Sequence, residues 1–138
     1  MSLSMKSSNA GKILIVPGVE GQYFDRKSAK ITASQVAELV VGLANADGGS
    51  IAIGTKDRQF EGINSQGPVK INDFLQCGVD HCRPPVMFQH EFANVVKPDG
   101  SQDRILFLHV EADKTRVHET NAGDVFLRVG DETKKMRF

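Results

Sequence analysis

The sequence has no tryptophan, a single tyrosine, two cysteines and no surplus of either charge. Each shortage removes a class of protein. Basic and acidic residues balance at 17 each, which argues against a basic coat protein that grips nucleic acid by sequence-blind phosphate neutralisation. The eight phenylalanines fall mostly in apolar strand or helix patterns, so they do not supply the exposed rings on which single strands stack. Cys77 and Cys82, spaced to suit adjacent turns of one helix, read as reduced thiols of a cytosolic protein. His81 and His90 lie nearby, but two thiols do not complete the four-ligand set of a zinc site. No apolar run approaches the roughly 20 residues of a membrane span. The start, Met1 to Met5, lacks the apolar core of a signal peptide, and the second methionine points to a tag-derived or disordered end. Residues 1–10 are therefore set apart from a domain over 11–138.

What is present is an ordinary globular composition, 40% hydrophobic and 25% charged over 138 residues. A chain of this length buries roughly two-thirds of its unfolded surface, enough to fold without disulfide or metal. Lys12 to Val16 reads as a short strand ended by Pro17-Gly18. Glu20 to Ala29 reads as extended, with Tyr23, Asp25 and Lys27 on one side and Phe24, Arg26 and Ser28 on the other. Thr32-Ala33-Ser34-Gln35 is a capping box. Val36, Leu39, Val40, Leu43 and Ala44 then trace one helical face, which Gly48-Gly49 terminates. These glycines are no phosphate loop: they follow a helix, and no lysine-hydroxyl pair comes after them. Asn45 is expected to tie the turn through its side-chain amide.

Ser50 to Gly54 is the strand beyond. Asp57-Arg58-Gln59 reads as a hairpin connection, with Phe60 to Ile63 as the return. A second helix is predicted over Val69 to His81, with Ile71, Phe74, Leu75 and Val79 as its apolar stripe and Arg83-Pro84-Pro85 as its stop. Strands follow at Val86–Val96, Arg104–Glu111 and Val125–Val129, with turns at Lys97-Pro98-Asp99-Gly100 and Asn121–Asp124. His109 alternates into its strand as a satisfied core or edge histidine. No serine–histidine or cysteine–histidine pair has a recognisable nucleophile context. About six or seven strands and two main helices out of strict alternation give an α+β domain with a mixed or antiparallel sheet.

The ordered series Glu20, Asp25, Lys27, Ala44-Asn45, Gly48-Gly49, Gly54, Asp57, Gly62-Ile63, Pro84-Pro85 and Phe126-Leu127-Arg128-Val129-Gly130 resembles the Schlafen-type AlbA domain over about residues 19 to 134. The chain departs from that pattern at several places. Asp25-Arg26-Lys27 stands where the family usually has glutamate, a large apolar residue and lysine. Thr55 stands for a usual valine and Phe126 for a common tyrosine, and a proline is frequent near His118.

The resemblance implies a DNA-binding module of a bacterial regulator, with DNA a more natural partner than RNA. A homodimer is compatible with it, and a membrane role is not implied. The cations offered for a phosphate backbone are Arg26, Lys27, Lys30, Lys56, Arg58, Arg128, Lys134, Lys135 and Arg137. For Arg128 an ion pair with one of the acids is the alternative. The resemblance also implies a second reading, a metal-dependent endoribonuclease on structured RNA, in which Glu20, Asp25 and Asp57 hold magnesium or manganese through carboxylate oxygens. Otherwise no cofactor is expected, and those acids cap turns or bridge surface charges. A third reading is a protein-interaction or dimerisation module.

Overall fold

Thr32 starts the first helix as its sequence predicts. Its Oγ1 accepts the Gln35 N–H at 3.1 Å, and Gln35 Oε1 accepts the Thr32 N–H at 3.0 Å. Satisfying these two orphan donors stabilises the helix end by about 1 kcal/mol. The structure is a computed structural model that describes residues 2–6 and 20–137, so the strand predicted over Lys12–Val16 and the Pro17-Gly18 turn lie outside the described residues. Helix α1 (Ala33–Asn45) buries the expected Val36, Leu39, Val40, Leu43 and Ala44, and also Ala37, Val41 and Gly42. A helix so widely buried has neighbours on more than one side.

The chain leaves α1 through the double glycine. Gly48 returns its N–H to the Leu43 carbonyl at 2.9 Å with φ +76°. A Cβ on Gly49 would meet the Tyr23 carbonyl oxygen at 2.6 Å. The pair is scaffolding that lets β3 (Gly49–Ile53) lie directly beside β2 (Phe24–Lys27). Asn45 does not tie this turn, contrary to expectation. Its Nδ2 donates to the carbonyls of His118 and Phe126 at 2.9 and 3.0 Å, and its Oδ1 accepts the His118 N–H at 2.8 Å. The turn satisfies itself through backbone bonds, which frees the amide for segments more than 70 residues away.

The main sheet also contains β1 (Ser2–Lys6), β7 (Phe88–Val96) and β8 (Gln102–Val110), in the order β1-β7-β8-β3-β2. The outer pairs are parallel and the inner ones antiparallel, so the sheet is mixed. The end set aside as tag-derived or disordered thus includes a five-residue strand. An open edge of β7 accepts an extended backbone whatever its side chains. Three two-stranded pairs complete the architecture: β4 (Thr55–Lys56) with β5 (Gln59–Phe60), β6 (Cys82–Arg83) with β9 (Glu119–Thr120), and β10 (Phe126–Val129) with β11 (Glu132–Lys135). Gly54, at φ +117°, ends β3 where the sequence predicts, and the chain continues into β4, a two-residue strand beyond the predicted one.

Helix α2 (Gly67–Asp80), entered through a 3-10 turn at Asn64–Gln66, packs beside α1 on one face of the sheet. Its inward residues are Ile71, Phe74, Cys77 and Gly78, whereas Val79 is half exposed, correcting the predicted stripe. The glycine faces inward because the helix meets the chain at Val86, whose N–H donates to the Gly78 carbonyl at 2.9 Å. A Cβ there would collide with the Val86 oxygen. Cys82 lies in β6, not on the helix that carries Cys77. The major core joins both helices to Ile51, Ile53, Leu106, Leu108 and Val110. On the opposite face, Ala52, Ala93, Val95 and Ile105 are buried with Phe24, Phe60 and Phe107 against them. No helix among the described residues is long and apolar enough to cross a membrane.

Candidate functional site

The exit of β3 carries the β4–β5 hairpin, whose two connecting residues, Asp57 and Arg58, have φ of +51° and +69°. Positive φ at both central positions is the twist-matched geometry of a type I′ hairpin. Asp tolerates it through its short polar side chain. Asp57 therefore sits exposed at a hairpin tip. Glu61, just past β5, accepts from Ser28 Oγ at 3.0 Å and from the Ala29 N–H at 2.7 Å. That carboxylate fastens the hairpin to the end of β2. Between the two runs a cavity of about 540 Å³ lined by Glu20, Arg26, Lys27, Ser28, Thr55, Lys56, Asp57 and Arg58.

Four cations face two carboxylates here, so the lining is basic although the whole chain is neutral. Lys56 and Arg58 are exposed on the hairpin, and Lys27 is half exposed. Arg26 is different. Its side chain is only 4% exposed, lies over the Phe24 ring at 5.1 Å, and reaches Glu20 through Nη1 at 3.8 Å. Its Nε and Nη2 have no hydrogen-bond partner among the described residues, and neither does the buried Oγ1 of Thr55.

The other predicted residues are elsewhere. Arg128 is buried beneath α1 and β2, and its charge belongs to Asp25: Nη1 donates to Asp25 Oδ2 at 2.7 Å. Nε and Nη2 donate to the Gly21 carbonyl at 3.1 and 2.8 Å, and Nη2 also reaches the Phe24 carbonyl at 3.2 Å. Of the two alternatives for Arg128, the ion pair is the one present, and the rest of the guanidinium closes the backbone carbonyls of Gly21 and Phe24. Lys134 and Lys135 lie on β11 beside Glu132 and Asp124, at 3.6 and 3.2 Å. Arg137 is exposed beyond β11, and Lys30 is exposed in the turn before α1. None of these five lines the cavity.

Glu20 and Asp57 share the cavity, but Asp25 does not line it. The second Asp25 oxygen lies 3.5 Å from Lys27 Nζ, so both oxygens face cations. Among the described residues no group of three or more His, Cys, Asp or Glu side chains could hold a metal ion. Hard divalent cations need several converging oxygens, and the acids as arranged do not fit one.

Two arrangements escape the sequence reading. Thr55 is marked in the sequence only by its departure from the family's usual valine, with nothing to place it in one cavity with Arg26. Ser50 Oγ lies 2.7 Å from His109 Nδ1, and His109 Nε2 lies 2.8 Å from Glu91 Oε1. This chain of bonds crosses β3, β8 and β7, and Phe107 stacks parallel to the imidazole at 6.3 Å. Its members are up to 59 residues apart, so only strand register could have revealed it.

Residues 20–137 match the family model described as Schlafen, AlbA_2. Among solved structures, the chain is similar to the DIP2311 protein from Corynebacterium diphtheriae, with a TM-score of 0.62 and 19% identity. That match covers 83% of this chain and 22% of the other, so the chain spans about a fifth of that protein's length, and the likeness concerns the fold alone. No curated protein matches the sequence.

Proposed function

The chain belongs to the Schlafen AlbA_2 family, and from that premise we propose that it binds nucleic acid, with DNA as the expected partner, through the cavity between β2 and the β4–β5 hairpin. One observation carries the proposal: in a chain of zero net charge, Arg26, Lys27, Lys56 and Arg58 converge on one concave surface. A cationic concavity concentrates polyanions, and its ammonium and guanidinium groups fit phosphate oxygens. The exposed Lys56 and Arg58 supply encounter and register. The regulator context implied by the family makes duplex DNA the first substrate to try, with RNA beside it.

The test is fluorescence anisotropy of labelled duplex and single-stranded oligonucleotides between about 50 mM and about 200 mM salt. Binding should weaken as salt rises. Lys56→Glu should lower affinity across all sequences and flatten the logarithmic salt slope by about 1. A variant indistinguishable from the parent, or no binding at the lower salt, would overturn the proposal.

A further inference from the structure

We infer that Arg26 and Thr55 form a seat for a single phosphate-type oxyanion within the cavity. The inference rests on the nucleic-acid reading of that cavity and specifies which atoms take the charge. A guanidinium has one edge, Nε with Nη2, that presents two parallel N–H donors, and this fork matches two oxygens of a phosphate or carboxylate. In Arg128 the same edge is occupied by the Gly21 carbonyl. In Arg26 it has no partner among the described residues, although 96% of the side chain is removed from solvent.

Burying donors without acceptors is costly. The nearby carboxylate does not relieve it, because Glu20 meets Nη1, at 3.8 Å, and not the fork. Thr55 repeats the anomaly. It is 2% exposed, its Oγ1 also lacks a partner among the described residues, and it lines the same cavity. Two buried groups lining one cavity, one a cationic fork and one a hydroxyl, describe the donor set of an oxyanion. Lys27, Lys56 and Arg58 surround them with more positive charge than Glu20 and Asp57 offset, which favours a phosphate over a singly charged carboxylate.

The phosphate can come from a phosphodiester backbone or from a terminal phosphate monoester, and the experiment separates them. Inorganic phosphate is titrated into the intact chain at low ionic strength and followed by amide and guanidinium NMR shifts. In parallel, anisotropy compares oligonucleotides of identical sequence with a 5′-phosphate or a 5′-hydroxyl. We expect saturable phosphate shifts in the parent, weakened about tenfold or more by Arg26→Met and severalfold by Thr55→Val. A preference for the 5′-phosphorylated strand assigns the seat to a monoester, and equal binding of both strands assigns it to the backbone.

Thermal unfolding supplies the second readout. A purely structural role predicts that both substitutions lower Tm. The seat predicts that Thr55→Val and Arg26→Met leave Tm unchanged or raise it, because each removes an unmatched buried polar group. Absence of saturable phosphate shifts, or Arg26→Met binding phosphate as the parent does, overturns the seat. If Arg26→Met then still binds oligonucleotide in a salt-dependent way, the cavity reading survives without it. If Lys56→Glu is also silent, the cavity reading falls as well.

Discussion

Cys77 and Cys82 are both buried, and loss of hydration pushes their thiols up from the ordinary 9.0, to about 12 and about 11 respectively. For Cys77 the neighbouring Cys82 and Asp80 add to that burial effect. The sign for stability follows from linkage. Above about pH 9 the unfolded chain ionises its thiols while the folded chain does not, so their contribution is intact below pH 9 and is lost as pH rises towards 12. We expect Tm to fall over that alkaline window, less so in Cys77→Ala measured against its own neutral-pH value. Iodoacetamide at pH 8 should label the native protein at least about tenfold more slowly than the urea-unfolded chain. Residue chemistry of this kind was half legible. Two reduced thiols follow from the sequence, but their inertness follows from packing. Likewise Arg26 and Thr55, the two departures from the family's usual apolar residues, read as isolated oddities until the fold places them in one cavity.

At the scale of elements, α1 was legible because three local signals agree: the capping box, the apolar face and the terminating glycines. The stripe of α2 was misjudged by one position, because Gly78 faces inward to admit the Val86 backbone, which no hydrophobic periodicity reports. Strands β6, β9 and β11 carry no clear alternation and owe their pairing to tertiary neighbours. The β4–β5 hairpin separates folding from function most cleanly. Arg58 holds a left-handed conformation at φ +69° that glycine adopts freely. We expect Arg58→Gly to change stability by no more than about 1 kcal/mol in urea titrations, yet to weaken oligonucleotide binding. Parental affinity in this variant would remove Arg58 from the interface.

For the whole molecule, the cross-connections of high sequence separation matter most. Asn45 joins α1 to the segments at His118 and Phe126, and Arg128 joins β10 to β2. The Asn45 link is not visible as a pattern, whereas an ion pair of Arg128 with one of the acids is an alternative the sequence offers, without saying which acid. Removing one member of a buried ion pair costs about 3–5 kcal/mol, because the other is left uncompensated. Arg128→Met should therefore destabilise the fold by that order in denaturant titrations, and Asn at position 25 in the same chain should restore part of the loss. A loss below about 1 kcal/mol, as at an exposed pair, would return Arg128 to the list of surface cations.

The Asp25–Arg128 pair also imposes an order of events when the chain is made. Its partners are 103 residues apart, and at about 5–20 residues per second the carboxylate precedes its guanidinium by roughly 5–20 seconds. Throughout that interval a docked β2 would hold the Asp25 carboxylate with Lys27, 3.5 Å from one oxygen, as its cation and with the other oxygen still waiting for Arg128. The nascent chain thus has reason to keep Asp25 in water and to leave the parallel edge of its sheet open until β10 arrives. The wall of the cavity that β2 provides is then among the last parts of the domain to close.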